Sequence, residues 1–162
     1  MISLRPAVPG DARLLWRWAN DRTTRAASYN PAPIPWKRHL PWLEKKLATP
    51  RRCRIYVAVD ERGRPVGQVR FDLEARRRAV VGISVDRARR GKGVGTEILR
   101  RGCRKAIADL SPRRIAAYVK KDNEASLAAF IRAGFRRVRA VRRGGSGSVL
   151  FHLAPQRGVL RL

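Results

Sequence analysis

Three glycines and two cations alternate in the stretch Arg90-Gly91-Lys92-Gly93-Val94-Gly95, directly before a helical pattern. Glycine permits a positive φ and lets a ligand approach the backbone closely. The first N–H groups of a helix have no partners inside it, and with the positive end of the helix dipole they bind anions. Arg89, Arg90 and Lys92 raise the local positive potential further. The stretch therefore predicts a phosphate-binding loop.

This loop differs from the two best-known phosphate-binding motifs. A P-loop requires Gly-Lys followed by Ser or Thr, whereas Lys92 precedes Gly93 here. A dinucleotide fingerprint follows the first strand of its domain, and this loop lies mid-chain, after several predicted strands. The apolar run 79–86 predicts a buried central strand before the loop, and residues 93–109 predict the helix after it. The phosphate would thus lie at a strand-to-helix junction.

The strands and helices that position this loop can be predicted from the spacing of apolar residues and from the turn residues between them. We predict strands at residues 2–5, 53–60, 65–73, 79–86, 112–120, 135–143 and 148–154. We predict helices at 9–21, from 36 through 47, at 93–109 and at 123–134. This order predicts one α/β domain over residues 1–162, with a mixed, mostly antiparallel sheet of about seven strands flanked by four helices. Residues 155–162 are a basic tail of uncertain order.

The charge of the chain is unusual. Thirty-eight Lys and Arg residues against twelve Asp and Glu give a formal net charge of +26. Such an excess attracts polyanions, including nucleic acid, nucleotide cofactors and acidic surfaces. It also arises when arginine replaces lysine through genome composition, and the chain has 31 arginines against 7 lysines. The cations are spread along the whole chain, so charge alone locates no site.

Composition argues against several classes of protein. The longest apolar runs, such as Ala79–Val85, are too short to cross a bilayer. The N-terminal residues lack the apolar core of a signal peptide, so we expect a cytoplasmic protein without membrane partners. Cys53 and Cys103 show no metal-ligand spacing and are too few for a disulfide framework. We therefore predict two buried free thiols and no metal site.

Two motifs together resemble one known family. Arg90-x-x-Gly93-x-Gly95 resembles the acyl-CoA pyrophosphate loop of the GCN5-related N-acetyltransferases, and the block 119–138, with Asn123 and Gly134-Phe135, resembles that family's other signature. The motifs have the expected separation, and the predicted element order fits over nearly the whole chain. The resemblance implies the acyl-CoA N-acyltransferase fold and direct acetyl transfer from acetyl-CoA to a primary amine.

The resemblance also implies a coenzyme site between two splayed strands, near 79–86 and 113–119. Backbone groups of Ile83, Ser84 and Val85 would bind the pantetheine arm of acetyl-CoA, because diverging strands leave unpaired donors and acceptors for an amide-bearing ligand. Asn123 would contact the pantetheine, although it equally suits a plain helix N-cap. The remaining coenzyme contacts implied are Arg90, Gly91, Lys92, Gly93, Val94, Gly95, Ser126 and Phe130.

The family's usual catalytic pair is absent from its usual positions. Many relatives carry a Glu base on the central strand and a Tyr acid in the short helix, where this chain has Val80 and Phe130. Ser126, one turn before Phe130, would hydrogen-bond the coenzyme sulfur, as the matching serine does in the branch that acetylates ribosomal-protein N-termini. Tyr118 is a second candidate acid. The N–H of Val85 would support the tetrahedral oxyanion.

The base that accepts the amine proton stays open. Asp72, Glu74, His39 and ordered water are the candidates, whereas we expect a structural role for His152 in the last strand. We predict that catalysis relies mainly on positioning and on the oxyanion donor.

The acceptor site in this family is formed by the first two helices and the loop that joins them. Here the pattern W-x-N-D, then Arg25, Ser28, Ile34 and His39-x-x-Trp42 resembles two branches. One acetylates UDP-linked amino sugars on the way to pseudaminic or related nonulosonic acids, and the other acetylates protein N-termini. The candidate acceptor contacts are Trp18, Asn20, Arg25, Tyr29, Trp36 and His39, although tryptophans at helical spacing also suit a core.

We expect a nucleotide-linked amino sugar as the acceptor, because a dense set of arginines suits a diphosphate. A ribosomal-protein N-terminus is the alternative, since a basic enzyme could dock on RNA beside its target. A third hypothesis is a basic nucleic-acid-binding protein on a degenerate acetyltransferase fold, in which case RNA and not CoA would bind. We expect a monomer or a homodimer, with nucleic acid as an optional partner.

Overall fold

The computed structural model of the chain describes residues 1–156. Its seven strands form one sheet in the order β1-β2-β3-β4-β5-β7-β6. All neighbouring strands are antiparallel except β4 and β5, which are parallel, so the predicted mixed, mostly antiparallel sheet is confirmed. The strands are β1 (Ser3–Pro6), β2 (Cys53–Val59), β3 (Pro65–Leu73), β4 (Arg78–Val85), β5 (Arg114–Lys120), β6 (Arg136–Arg143) and β7 (Ser146–Leu153).

The helices include one that the sequence did not predict. The part of the chain that the structure describes has α1 (Ala12–Ala19), α2 (Arg22–Ala27), α3 (Trp36–Leu47), α4 (Val94–Leu110) and α5 (Glu124–Arg132). The additional helix is α2, which buries none of its residues and therefore gives no apolar periodicity to read. The predicted basic tail lies mostly beyond the described residues, from 157 onward.

Each face of the sheet is covered by different helices. On the α4–α5 face, Leu99 of α4 and Phe130 of α5 pack against strand residues such as Val81 and Phe151 in the main core. On the α1–α3 face, a smaller cluster joins α1 and α3 to β2 alone. Side chains alternate between the faces along a strand, so residues such as Gly82 and Tyr118 belong to the α1–α3 face. The α1–α3 cluster therefore leaves β4, β5, β7 and β6 outside it.

Both cysteines are buried free thiols, as predicted. Burial raises the pKa of Cys53 and of Cys103 to about 12, so both remain protonated at neutral pH. No helix among residues 1–156 has both the length and the apolar character needed to cross a bilayer.

Candidate active site

The parallel strands β4 and β5 pair only over their first residues. Arg78, Ala79 and Val80 pair with 114–116, and within the described chain the pairing ends at Val80 and Ala116. Beyond these residues a cavity of about 490 Å³ opens between the strands. The vertex of this gap lies at Val80. Its open end lies where β4 leads into residues 90–95, which we call the glycine loop.

Strand register decides which backbone groups face the gap. The Asp86 N–H donates to the Val66 carbonyl of β3 at 2.9 Å. Hydrogen-bonded and non-hydrogen-bonded residues alternate along an antiparallel strand, so the backbone N–H and C=O of Ser84 also bond to β3. The backbone groups of Ile83 and Val85 therefore face the gap. Ser84 lines the cavity, but its N–H and C=O are directed away from it, and its hydroxyl accepts from Gln68 at 2.8 Å.

The same alternation applies to β5, on the other side of the gap. The Lys121 N–H donates to the Gly147 carbonyl at 3.1 Å, so the backbones of Tyr118 and Lys120 face β4. The open part of the gap is therefore edged on both sides by peptide groups that have no strand partner, which suits a ligand with amides.

The glycine loop leaves the start of α4 uncovered. Gly91 and Gly93 adopt φ of 73° and 75°, and Gly93 is the N-cap residue of α4. A Cβ at either position would meet no atom within 4 Å, so the loop borders open space. Gly91, Gly93, Val94 and Gly95 line the cavity. The first N–H groups of α4 thus point at a site that fits a phosphate.

The two cations of the loop are engaged with protein atoms. Lys92 is exposed, and its ammonium donates to the Ala88 carbonyl at 3.4 Å. Arg90 donates from Nε to the Val85 carbonyl at 3.1 Å and from Nη2 to Asp21 Oδ2 at 2.8 Å. Although burial raises the pKa of Asp21, the Arg90 guanidinium holds it below its usual value, so the pair stays charged at neutral pH. Arg90 therefore fastens the loop to α2.

Helix α2 bridges the gap on the α1–α3 face. Its N-cap residue Asp21 is held by Arg90 on the β4 side. At its other end, Lys120 of β5 donates to the Ala26 carbonyl at 3.1 Å, and the Tyr29 hydroxyl donates to Ser148 of β7 at 2.7 Å. Thr23, Thr24, Ala27 and Ser28 line the cavity from this helix. The only sequence signal for α2 was the capping residue Asp21, which accepts from the Thr24 N–H at 3.1 Å.

Helix α5 borders the cavity from the opposite face. Asn123 is its N-cap residue and accepts from the Ser126 N–H at 3.2 Å, while both residues also line the cavity. Phe130 lines the cavity as well, and its ring packs 5.0 Å from Phe135 and 5.9 Å from Phe151, centroid to centroid. Within residues 1–156 the Ser126 hydroxyl makes no hydrogen bond, so it is available to a ligand.

The two candidate acids approach the gap from different faces of the sheet. Ser126 lies on α5, whereas Tyr118 belongs to the α1–α3 face, because its neighbours Ala117 and Val119 point into the main core. The Tyr118 ring lies 4.0 Å from the Arg143 guanidinium carbon and 5.8 Å from that of Arg78.

The candidate acceptor residues of α1 and α3 contact other parts of the protein. Trp18 is buried, and its Nε1 donates to Asp86 at 2.9 Å. His39 is buried with Nε2 3.0 Å from the Ala12 carbonyl oxygen, and burial lowers its pKa. Trp36 packs edge-on against Trp16 at 5.5 Å. None of these three candidates lines the cavity between β4 and β5.

The other three candidates fasten the segment between α1 and α3. Asn20 accepts from the Ile34 N–H at 2.7 Å and donates back to the Ile34 carbonyl at 3.1 Å. Arg25 donates to carbonyls of Ala19, Asn30 and Ala32 and to the Ser28 hydroxyl. Tyr29 is bound to Ser148. These residues thus shape the border of the gap without lining it.

The candidate carboxylate bases are both paired with cations. Asp72 accepts from Lys46 at 2.6 Å and from Arg70 at 2.8 Å, and Glu74 accepts from Arg78 at 2.7 Å. Although burial raises the pKa of Asp72, the charges of Arg70 and Lys46 hold it below its usual value. Among residues 1–156 there is no group of three His, Cys, Asp or Glu side chains that could hold a metal ion.

Comparisons with known proteins agree with this geometry. The family model "Acetyltransferase (GNAT) domain" matches residues 2–136. No curated protein matches the chain in sequence. The chain is similar to the solved structure of aminoglycoside acetyltransferase AAC(6')-Ib in complex with coenzyme A and kanamycin, with a TM-score of 0.82 and 17% identity over 96% of this chain and 95% of that chain. It is also similar to spermidine N-acetyltransferase from Vibrio cholerae in complex with CoA and spermine, with a TM-score of 0.81 and 18% identity over 94% of this chain and 95% of that chain.

Proposed function

Because this chain belongs to the GNAT acetyltransferase family and is an acetyl-CoA-dependent N-acetyltransferase, we propose that it acetylates the amino group of a nucleotide-linked amino sugar. The observation that carries this proposal is the charge of the α1–α3 face beside the vertex of the gap. An acceptor that meets the thioester at the vertex must approach from this face, because the main core and α5 fill the other.

Three arginines surround the vertex on the α1–α3 face. The Arg70 Nη2 lies 3.7 Å from the position that a Cβ on Gly82 would occupy. Arg78 and Arg143 flank the Tyr118 ring. Two of these arginines are ion-paired, because Asp72 accepts from Arg70 and Lys46 and Glu74 accepts from Arg78. The three arginines and Lys46 still exceed the two carboxylates by two positive charges. The site is therefore positive where the acceptor would bind.

This charge disfavours polycationic acceptors. A guanidinium charge about 6 Å from an ammonium group of the acceptor raises the binding free energy by about 3 kcal/mol at an effective dielectric constant of about 20, before screening by water and salt. The solved relatives carry kanamycin and spermine, which are polycations. An acceptor with a negatively charged group beside its amine would instead be attracted to Arg70, Arg78 and Arg143.

The same field helps to explain how the chain works without the usual Glu base. Cations near an ammonium group lower the pKa of the amine, so more of it is neutral and reactive at neutral pH. The amine nitrogen attacks the thioester carbonyl carbon, and its proton passes to water. Of the backbone N–H groups that face the gap, that of Ile83 lies nearer to the vertex than that of Val85, which is five residues or roughly 16 Å from Val80, so Ile83 rather than Val85 would support the oxyanion. The thiolate leaves, with Ser126 or Tyr118 as the hydroxyl that donates a proton to it.

The coenzyme contacts of this proposal follow the shape of the cavity. The amides of Gly93, Val94 and Gly95 would hold the pyrophosphate at the start of α4. The pantetheine would extend between the facing backbones of β4 and β5 toward the vertex. The thioester would then lie beside Phe130, which lines the cavity.

An acceptor panel with thiol release as the readout tests the proposal. We expect kcat/KM to be highest for a UDP-linked amino sugar, and at least tenfold lower for the same amino sugar without its nucleotide and for spermidine. That free sugar is the matched control, because it keeps the amine and removes the anionic group. Faster turnover of N-terminal peptides would favour the protein-acetyltransferase alternative. RNA binding without stabilisation by CoA would favour the nucleic-acid-binding alternative.

A further inference from the structure

Strand register gathers arginines from three strands around His152 on the α1–α3 face. His152 of β7 lies beside Ala116 of β5 and Arg136 of β6. Arg114 is two residues before Ala116 on the same face of β5. Its neighbour on the adjacent strand β4 is Arg78. Arg139 pairs with Leu150, two residues before His152 on β7. The imidazole is thus surrounded by guanidinium groups.

The pKa of His152 reflects this arrangement. Burial lowers the pKa of His152, and the positive charges of Arg114, Arg78 and Arg139 lower it further. The imidazole is therefore neutral at neutral pH and adds a possible N–H donor without another positive charge.

Among the residues that the structure describes, most of the surrounding cations have no counter-ion. Arg78 is paired with Glu74 at 2.7 Å. Within residues 1–156, Arg114, Arg136 and Arg139 form no ion pair. Cations held this close repel one another unless an anion lies between them, and guanidinium groups bind phosphate oxygens with parallel hydrogen bonds.

We propose that Arg78, Arg114 and Arg139, together with His152, form a binding site for the diphosphate group of the acceptor. This inference rests on the proposed function and names the part of the acceptor site that selects the nucleotide. It assigns to His152 a role in ligand binding, where the sequence indicated a structural one.

The position of the cluster suits an acceptor whose amine lies at the vertex of the gap. Ala116 ends the pairing between β4 and β5, and His152 is its partner on the next strand. Neighbouring strands lie about 5 Å apart, so the cluster begins about one strand away from the vertex. A single sugar ring between an amine and a diphosphate spans a distance of this order. An RNA strand would need a longer track of phosphate contacts, so we favour the small ligand.

The two histidines of the chain allow a direct test by NMR. We would titrate the imidazole C–H signals with pH in the presence and absence of UDP, which carries the diphosphate but no amine. Bound UDP would neutralise the arginine field, so the titration midpoint of His152 should rise while that of the buried His39 stays fixed. An unchanged His152 midpoint at millimolar UDP would refute the site, and so would a response to an RNA oligomer but not to UDP.

Substitutions of the arginines test whether they cause the shift of the His152 midpoint by UDP. In Arg114→Gln/Arg139→Gln, UDP should no longer move the His152 midpoint, and the KM of the nucleotide sugar should rise at least tenfold, with kcat and the KM of acetyl-CoA within about twofold. The matched control is Arg137→Gln, because Arg137 pairs with Phe151 and lies on the opposite face of β6. Equal effects of the two changes would mean that general surface charge is responsible, which contradicts the proposal.

The two proposals fail in different ways. If UDP raises the His152 midpoint but no nucleotide-linked amino sugar is acetylated, the anion site stands and the proposed acceptor is wrong. If the sugar is acetylated but UDP leaves His152 unchanged, the acceptor stands and this site is wrong.

Discussion

The proposed coenzyme side of the gap presents backbone groups, whereas the proposed acceptor side presents side chains. The coenzyme side consists of backbone N–H and C=O groups, exposed by glycines in the loop 90–95 and by strands that part at Val80. The acceptor side consists of side chains such as Arg70, Arg78 and Arg139, which lie on one face of the sheet only because strand register places them there. Backbone sites depend on local conformation, whereas side-chain sites depend on the fold of the whole sheet.

The largest expected effect comes from disturbing the backbone site. In Gly93→Ala, a φ of 75° would cost about 1–2 kcal/mol, and relaxation of the loop would turn its amides away from the pyrophosphate. We expect the dissociation constant of acetyl-CoA, measured by calorimetry, to rise about tenfold or more.

A second glycine provides the control for this strain. Gly63 has a φ of 73° in the turn between β2 and β3, and a Cβ there would also meet no atom within 4 Å. Gly63→Ala should lower the free energy of unfolding by a similar amount and leave acetyl-CoA binding unchanged. Equal coenzyme affinity in both variants would show that the loop conformation does not create the site.

A smaller effect is expected where a side chain would serve the coenzyme directly. Removing a neutral hydrogen bond costs about 1 kcal/mol, so Ser126→Ala should lower kcat about fivefold with little change in the KM of acetyl-CoA. Ser126→Thr keeps the hydroxyl and should retain most of the activity. Full turnover of the alanine variant would remove Ser126 from the mechanism and leave Tyr118 as the remaining candidate acid.

The smallest effect distinguishes burial from charge as causes of neutral imidazoles. Burial lowers the pKa of both histidines, but only His152 also experiences the charges of Arg78, Arg114 and Arg139. Salt screens exposed charges, with a Debye length of ~10 Å at 0.1 M and ~3 Å at 1 M. Raising the salt concentration should therefore move the NMR titration midpoint of His152 upward and leave that of His39 in place. Parallel shifts of both would contradict the arginine cluster.

Local patterns in the sequence were sufficient to predict most of the fold. The strand predicted at 65–73 has the same bounds as β3, and the strand predicted at 79–86 is β4 displaced by one residue. The loop at residues 90–95 was also predicted between a strand and a helix, because its residues are contiguous and glycine permits the positive φ that Gly91 and Gly93 adopt. Its role in phosphate binding stays a prediction. Helix α2 was missed, since its six residues bury nothing.

The acceptor side could not be predicted in the same way. Trp18, Asn20 and Arg25 were named from their spacing, but spacing does not distinguish a side chain that binds a ligand from one that bonds to its own protein. Arg78 and Arg139 lie far apart in sequence, and neither belongs to a motif. Their proximity to His152 depends on the pairing of β4 through β7, which is a property of the assembled sheet.

The attachment of α2 at both ends has a consequence for the energetics of ligand entry. Asp21 is tied to the β4 side, and Ala26 and Tyr29 are tied to β5 and β7, so a six-residue helix about 9 Å long sets the span between the strand ends. The gap is thus held at a fixed width before a ligand binds. Little binding free energy is then consumed in drawing the strands together, and the interactions that a ligand forms there are retained as affinity.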